Sequence, residues 1–126
     1  MVAIILTHKN LAQELINTAK SIVGHDEKLY GFTNHTKTTE QLFGEIKEFL
    51  KSKDSPENVL FMVDLRGGNC WTVARMLIQE NKGYYVISGV NLPMIVSYLT
   101  KKDSCNFEDL VKSVEKDACR GTFLEQ

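Results

Sequence analysis

Apolar residues fall along this chain in two alternating patterns. Short continuous runs mark buried strands, and runs recurring every three or four residues mark helices. Val2–Leu6 (VAIIL) is unbroken, rich in β-branching and of strand length. Leu11, Leu15, Ile16, Ala19, Ile22 and Val23 then recur at helical spacing. Asn10 stands where an N-cap belongs, Gln13 completes a capping-box pattern, and Gly24 fits the stop. Lys28–Thr33 reads as a short second strand, weakened by Gly31, and Thr38–Leu50 as a second helix. Asp54, Ser55 and Pro56 form a turn into a third strand, Val59–Val63 (VLFMV).

After Asp64-Leu65-Arg66-Gly67-Gly68-Asn69 the helical period returns from about Cys70 to Glu80, with Val73, Ala74, Leu77 and Ile78 inward. Tyr84–Ser88 is a fourth strand. Asn91 is placed to cap the next helix, with Pro93 in its first turn, where a missing N–H costs nothing. That helix ends near Lys101–Asp103, and Phe107–Ala118 forms the last. Gly121–Gln126 reads as a short strand or a disordered tail. This order predicts an α/β fold. It is a single-domain, three-layer open sheet, mostly parallel, with flavodoxin-like strand order and helices on both faces.

The bulk properties narrow the partners. A chain of 126 residues suits one domain over positions 1–126. A formal net charge of −1 gives no basic face for nucleic acid. No apolar run reaches membrane-spanning length, and no signal-peptide pattern opens the chain. The odd set Cys70, Cys105 and Cys119 contains no CxxC pair, which fits reduced thiols in the cytoplasm. His8, His25 and His35 are not at metal-ligand spacing, so no metal or other cofactor is expected.

In open parallel sheets, sites form at the carboxyl ends of strands where the strand order reverses. With the first and third strands adjacent, the loops beginning at His8 and Asp64 face one crevice. A carboxylate beside one imidazole nitrogen fixes the tautomer and leaves the other nitrogen as a nucleophile. Gly67 and Gly68 leave backbone N–H groups unobstructed, and Asn69 is placed to cap the following helix. Two helix N-termini would then converge on a space suited to a dianionic phosphoryl group. Without a GxxxxGK[ST] loop or a magnesium-binding acidic cluster, the donor should be another protein.

Three segments carry a resemblance: AIILTHKNLAQELINTAKSIVG, VLFMVDLRGGNCWTVARML and YYVISGVNLPMIVSYL. In order and spacing the chain resembles the mannose-family IIA component of the bacterial phosphoenolpyruvate-dependent sugar phosphotransferase system. The resemblance implies that His8 is the phosphoryl acceptor and Asp64 its hydrogen-bonding partner. It implies HPr as donor and a separate IIB protein as acceptor. It also implies a link to the membrane only through IIC and IID components, and a homodimer whose C-terminal segment often crosses between subunits. Lys9 stands where the family has a small residue, and Asn69-Cys70 where it has [ST]-P. Lys9, Arg66, Trp71, Met94 and Ile95 are candidates for meeting a partner. Two other readings remain open here. One is a IIA-like regulatory module that acts by protein docking. The other is a cysteine-dependent enzyme in which a helix N-terminus activates Cys70 beside His8 and Asp64.

Overall fold

The computed structural model describes residues 1–24 and 28–126. His25 therefore lies outside the described residues. Among the described residues the order is β1 (Val2–Thr7), α1 (Leu11–Val23), β2 (Leu29–Thr33), α2 (Thr39–Ser52), β3 (Val59–Val63), α3 (Asn69–Glu80), β4 (Tyr84–Ser88), α4 (Leu92–Lys101) and α5 (Phe107–Arg120). The four strands form one sheet in the order β2-β1-β3-β4, every pair parallel. This is the expected flavodoxin-like order, and the register sets Leu6 beside Val63. The residues that follow these two strands, His8 and Asp64, leave the same edge of the sheet.

Alternation along each strand splits the core into two layers. Ala3, Ile5, Leu60, Met62 and Ile87 pack with residues of α1, α4 and α5. Ile4, Leu6, Phe61 and Val63 pack with residues of α2 and α3 on the other face. Ile4, Ile5 and Leu6 are fully buried. Burying each contributes about 1.5–3 kcal/mol, which anchors the strand that delivers His8.

Several local expectations change. Asn10 is the N-cap residue of α1 but makes no side-chain cap hydrogen bond. The buried hydroxyl of Thr7 accepts the Ala12 N–H instead, at 2.7 Å. Thr7 reaches forward from the strand end, and this bond ties β1 to the first turn of α1. The capping box occurs on α2, where Thr38 and Gln41 each accept from the other's backbone N–H. Leu11, Ile22 and Val23 are exposed rather than inward. No strand forms after Arg120. Gly121–Gln126 is exposed, with Phe123 75% and Leu124 94% accessible. Among the described residues, no helix is long and apolar enough to cross a membrane.

Candidate functional site

The carboxyl edge of β1 and β3 gathers the chemistry. Asp64, the first residue beyond β3, turns one carboxylate oxygen to His8 from 56 positions away. Its Oδ2 accepts the His8 backbone N–H at 3.0 Å and the ring Nδ1–H at 2.8 Å. Its Oδ1 accepts the Leu65 N–H at 3.0 Å. A carboxylate held at both oxygens cannot swing away. Because it only accepts, the neutral ring carries its proton on Nδ1 and presents an Nε2 lone pair. The His8 side chain is 48% accessible and that of Asp64 12%, so the orienting group is shielded while the ring meets solvent.

The Gly67-Gly68 turn lies against the ring. Gly67 has φ +89°, a conformation that L side chains rarely adopt. Gly68 has ordinary backbone angles, but a Cβ placed on it would lie 3.6 Å from His8 Cε1. Gly68, not Asn69, is the N-cap of α3, and no side chain caps that end. The N–H groups of the first turn have no intrahelical acceptors, and the helix dipole adds partial positive charge. Of the two helix N-termini expected here, α1 already commits its Ala12 N–H to Thr7. The expectation of two converging helix N-termini therefore rests mainly on α3.

Asn69 has a different partner from the one its position implies. As the first residue of α3, its Oδ1 accepts from Asn34 Nδ2 at 2.6 Å, while Asn34 donates its backbone N–H to Thr7 O. Asn34 thus ties the backbone just before His8 to the first side chain of α3. Sequence reasoning missed Asn34, which belongs to no motif. Its place just beyond β2, on the same parallel edge, was the available signal.

Cys70 packs fully buried beneath this edge, with its thiol pushed up to about 12 by burial and, secondarily, by the Asp64 carboxylate. The expectation of a thiol activated by a helix N-terminus is therefore overturned. Desolvation and a neighbouring anion both oppose the thiolate and outweigh the helix. The expected proximity of Cys70 to His8 and Asp64 does hold. One ligand atom each from His8, Asp64 and Cys70 lie within 4.8 Å of one another.

The remaining candidates separate. Arg66, Trp71 and Met94 line an open cleft of about 520 Å³ with Arg75, Ser88 and Asn91, between α3, the end of β4 and the α4–α5 pair. Arg75 stacks its guanidinium 5.4 Å from the Trp71 ring centre. Met94 and Ile95 are 1% and 0% accessible, so both are core residues and not a partner surface. The cause is the cap: Asn91 accepts the Met94 N–H at 2.9 Å and starts α4 with these side chains turned into the core. Lys9 is exposed with φ +48°, on the opposite flank, beside a cleft of about 170 Å³ that includes Gly31, Phe32 and Thr33.

Comparison with known proteins is consistent across sequence and fold. The family EIIA-man, described as "PTS system fructose IIA component", matches residues 2–115. The mannose-specific EIIAB component of Escherichia coli K12 is 32% identical over 114 residues, covering 87% of this chain and 35% of that protein. The fructose-specific EIIA component of Bacillus subtilis is 34% identical over 65 residues, covering 50% of this chain and 44% of that protein. The chain thus spans about a third of the length of the mannose-specific relative. Among solved structures, the phosphotransferase system component EIIA from Streptococcus agalactiae superposes with a TM-score of 0.87 at 22% identity, covering 97% of this chain and 95% of that one. The mannose/sorbose-specific IIA subunit from Enterococcus faecalis gives 0.84 at 20% identity, covering 99% and 94%.

Proposed function

Because the chain belongs to the EIIA-man family of phosphotransferase-system IIA components, we propose that it carries a phosphoryl group on Nε2 of His8, received from HPr and passed to a IIB protein. The observation that carries this reading is the pair of hydrogen bonds from His8 to one oxygen of Asp64. In the forward step the Nε2 lone pair attacks the phosphorus of the donor's phosphohistidine. The new N–P bond forms as the donor's breaks, and the bonding pair returns to the donor ring. The Nδ1 proton stays on the ring, and the carboxylate offsets the positive charge that develops there. Onward transfer to IIB reverses these roles.

Gly67, Gly68 and Asn69 supply the surroundings of the phosphoryl oxygens: an unobstructed turn, the uncapped first turn of α3 and an amide held in place by Asn34. Arg66, Trp71 and Lys9 are the exposed or half-exposed groups flanking this edge, and they form the proposed rim that meets protein partners. The protein acts in the cytoplasm as a homodimer and reaches the membrane through the IIC and IID components that its IIB partner serves.

Incubation with phosphoenolpyruvate, enzyme I and HPr tests the reading. The chain should take up one acid-labile phosphate, lose it to a IIB acceptor, and take up none as His8→Ala. Undiminished labelling of His8→Ala would overturn the assignment.

A further inference from the structure

Three side chains of different ligand chemistry converge at this edge from three separate loops or helix starts. They are the imidazole of His8, the carboxylate of Asp64 and the thiol of Cys70, with one ligand atom from each within 4.8 Å of the others. We propose that His8, Asp64 and Cys70 form an inhibitory binding site for a divalent d-block cation of the zinc class.

The donor set is what such an ion selects. Zinc takes nitrogen, carboxylate oxygen and thiolate sulfur in tetrahedral sites, and three protein ligands with one open position are a common arrangement. Metal–ligand bonds of about 2.0–2.3 Å place tetrahedral ligand atoms ~3.3–3.8 Å apart. Nδ1 and Oδ2, 2.8 Å apart, need to open slightly, and the Cys70 sulfur, within 4.8 Å, needs to approach by up to roughly 1 Å, movements that a half-exposed ring can share. Harder cations such as magnesium prefer all-oxygen, octahedral surroundings, so this mixed trio disfavours them. The ion enters from the His8 side, because Cys70 is closed off behind the ring. The thiol proton and the Nδ1 proton leave to solvent, and Asp64 contributes the charge it already holds. A bound cation offsets both the burial and the Asp64 charge that otherwise keep the thiol protonated. The fourth position faces solvent and holds water.

The consequence follows from which atoms the ion occupies. Nδ1 and Oδ2, already paired at 2.8 Å, are the donors the proposed ion would take, so a loaded protein would lose the hydrogen bond that orients the ring and with it the arrangement proposed above for phosphoryl acceptance. The binding claim stands on the three donors alone. The inhibition rests on the phosphocarrier reading.

The test uses the whole chain with Cys105→Ser and Cys119→Ser, which leaves Cys70 as the sole thiol. Titration with Co²⁺ should give a thiolate-to-cobalt charge-transfer band at one equivalent, abolished by Zn²⁺. Competition against a chromophoric chelator should show Zn²⁺ affinity falling at least tenfold in Cys70→Ala and in His8→Ala, the latter removing a half-exposed ring rather than a core side chain. It should be unchanged in His35→Ala. Absence of the charge-transfer band, or Zn²⁺ affinity unaffected by both Cys70→Ala and His8→Ala, would overturn the site. Binding as described, with phosphate uptake unaffected by one equivalent of Zn²⁺, would overturn the inhibition alone.

Discussion

One oxygen of Asp64 holds His8 twice, accepting its backbone N–H at 3.0 Å and its ring Nδ1–H at 2.8 Å. The first bond fixes where the residue sits, and the second fixes how its ring is turned. Loss of either misdirects Nε2, the proposed acceptor, and misplacement of this order costs a reacting pair about a hundredfold in rate.

Asp64→Asn should therefore fold normally and accept phosphate on the order of 100-fold more slowly. The same change should lower the pKa of the Cys70 thiol from about 12, because the Asp64 charge contributes to its elevation. It should remain above that of an exposed thiol, since burial is the larger cause. Rapid-quench phosphotransfer and thiol titration check the two effects separately. Unchanged transfer kinetics would argue against an orienting role.

The two glycines of the turn should respond differently. At Gly67, φ +89° strains any side chain although the space around it is open, so Gly67→Ala should cost about 1–3 kcal/mol in urea unfolding. At Gly68, the added methyl meets His8 Cε1 at 3.6 Å, an ordinary contact. Gly68→Ala should keep its stability within about 0.5 kcal/mol and show its effect in phosphoryl transfer.

The cap of α1 gives a similar contrast. Thr7→Val removes the acceptor of the Ala12 N–H and should cost about 1–2 kcal/mol. Asn10→Ala, at a residue with no side-chain cap bond, should change stability by less than about 0.5 kcal/mol. Thermal unfolding of both variants distinguishes the strand-end cap from the conventional one.

Cys70 makes stability depend on alkaline pH. Its thiol holds the proton up to about 12 in the folded state, against an ordinary value of 9.0. Above that lower value the unfolded chain binds fewer protons than the native one, so stability falls as pH rises from about 9 towards 12. Urea midpoints at pH 8 and pH 10 should therefore drop further for the wild type than for Cys70→Ala. Equal drops would contradict a protonated, desolvated thiol.

The strands, their parallel order and the meeting of His8 with Asp64 were legible in the sequence. Continuous β-branched runs have few alternative fates, and a parallel sheet sends the ends of β1 and β3 to one edge. Caps were less legible. Asn10 and Gln13 have the capping-box pattern, yet Thr7 is close enough to take the role, while the box itself forms at Thr38 and Gln41. Met94 resembled a partner residue because position in a loop-proximal motif does not reveal which way the first turn of α4 faces. Asn34 depends on a contact across 35 positions, which no local pattern encodes, whereas the meeting of Cys70 with His8 and Asp64 followed from its place at the start of α3 on the same edge.

The nitrogen that bears the phosphate tests the central claim most directly. A long-range ¹H–¹⁵N spectrum of the chain phosphorylated through HPr should show a phosphohistidine at position 8 substituted on Nε2, with Nδ1 still protonated towards Asp64. Phosphate on Nδ1 of His8, or on His35, would contradict it.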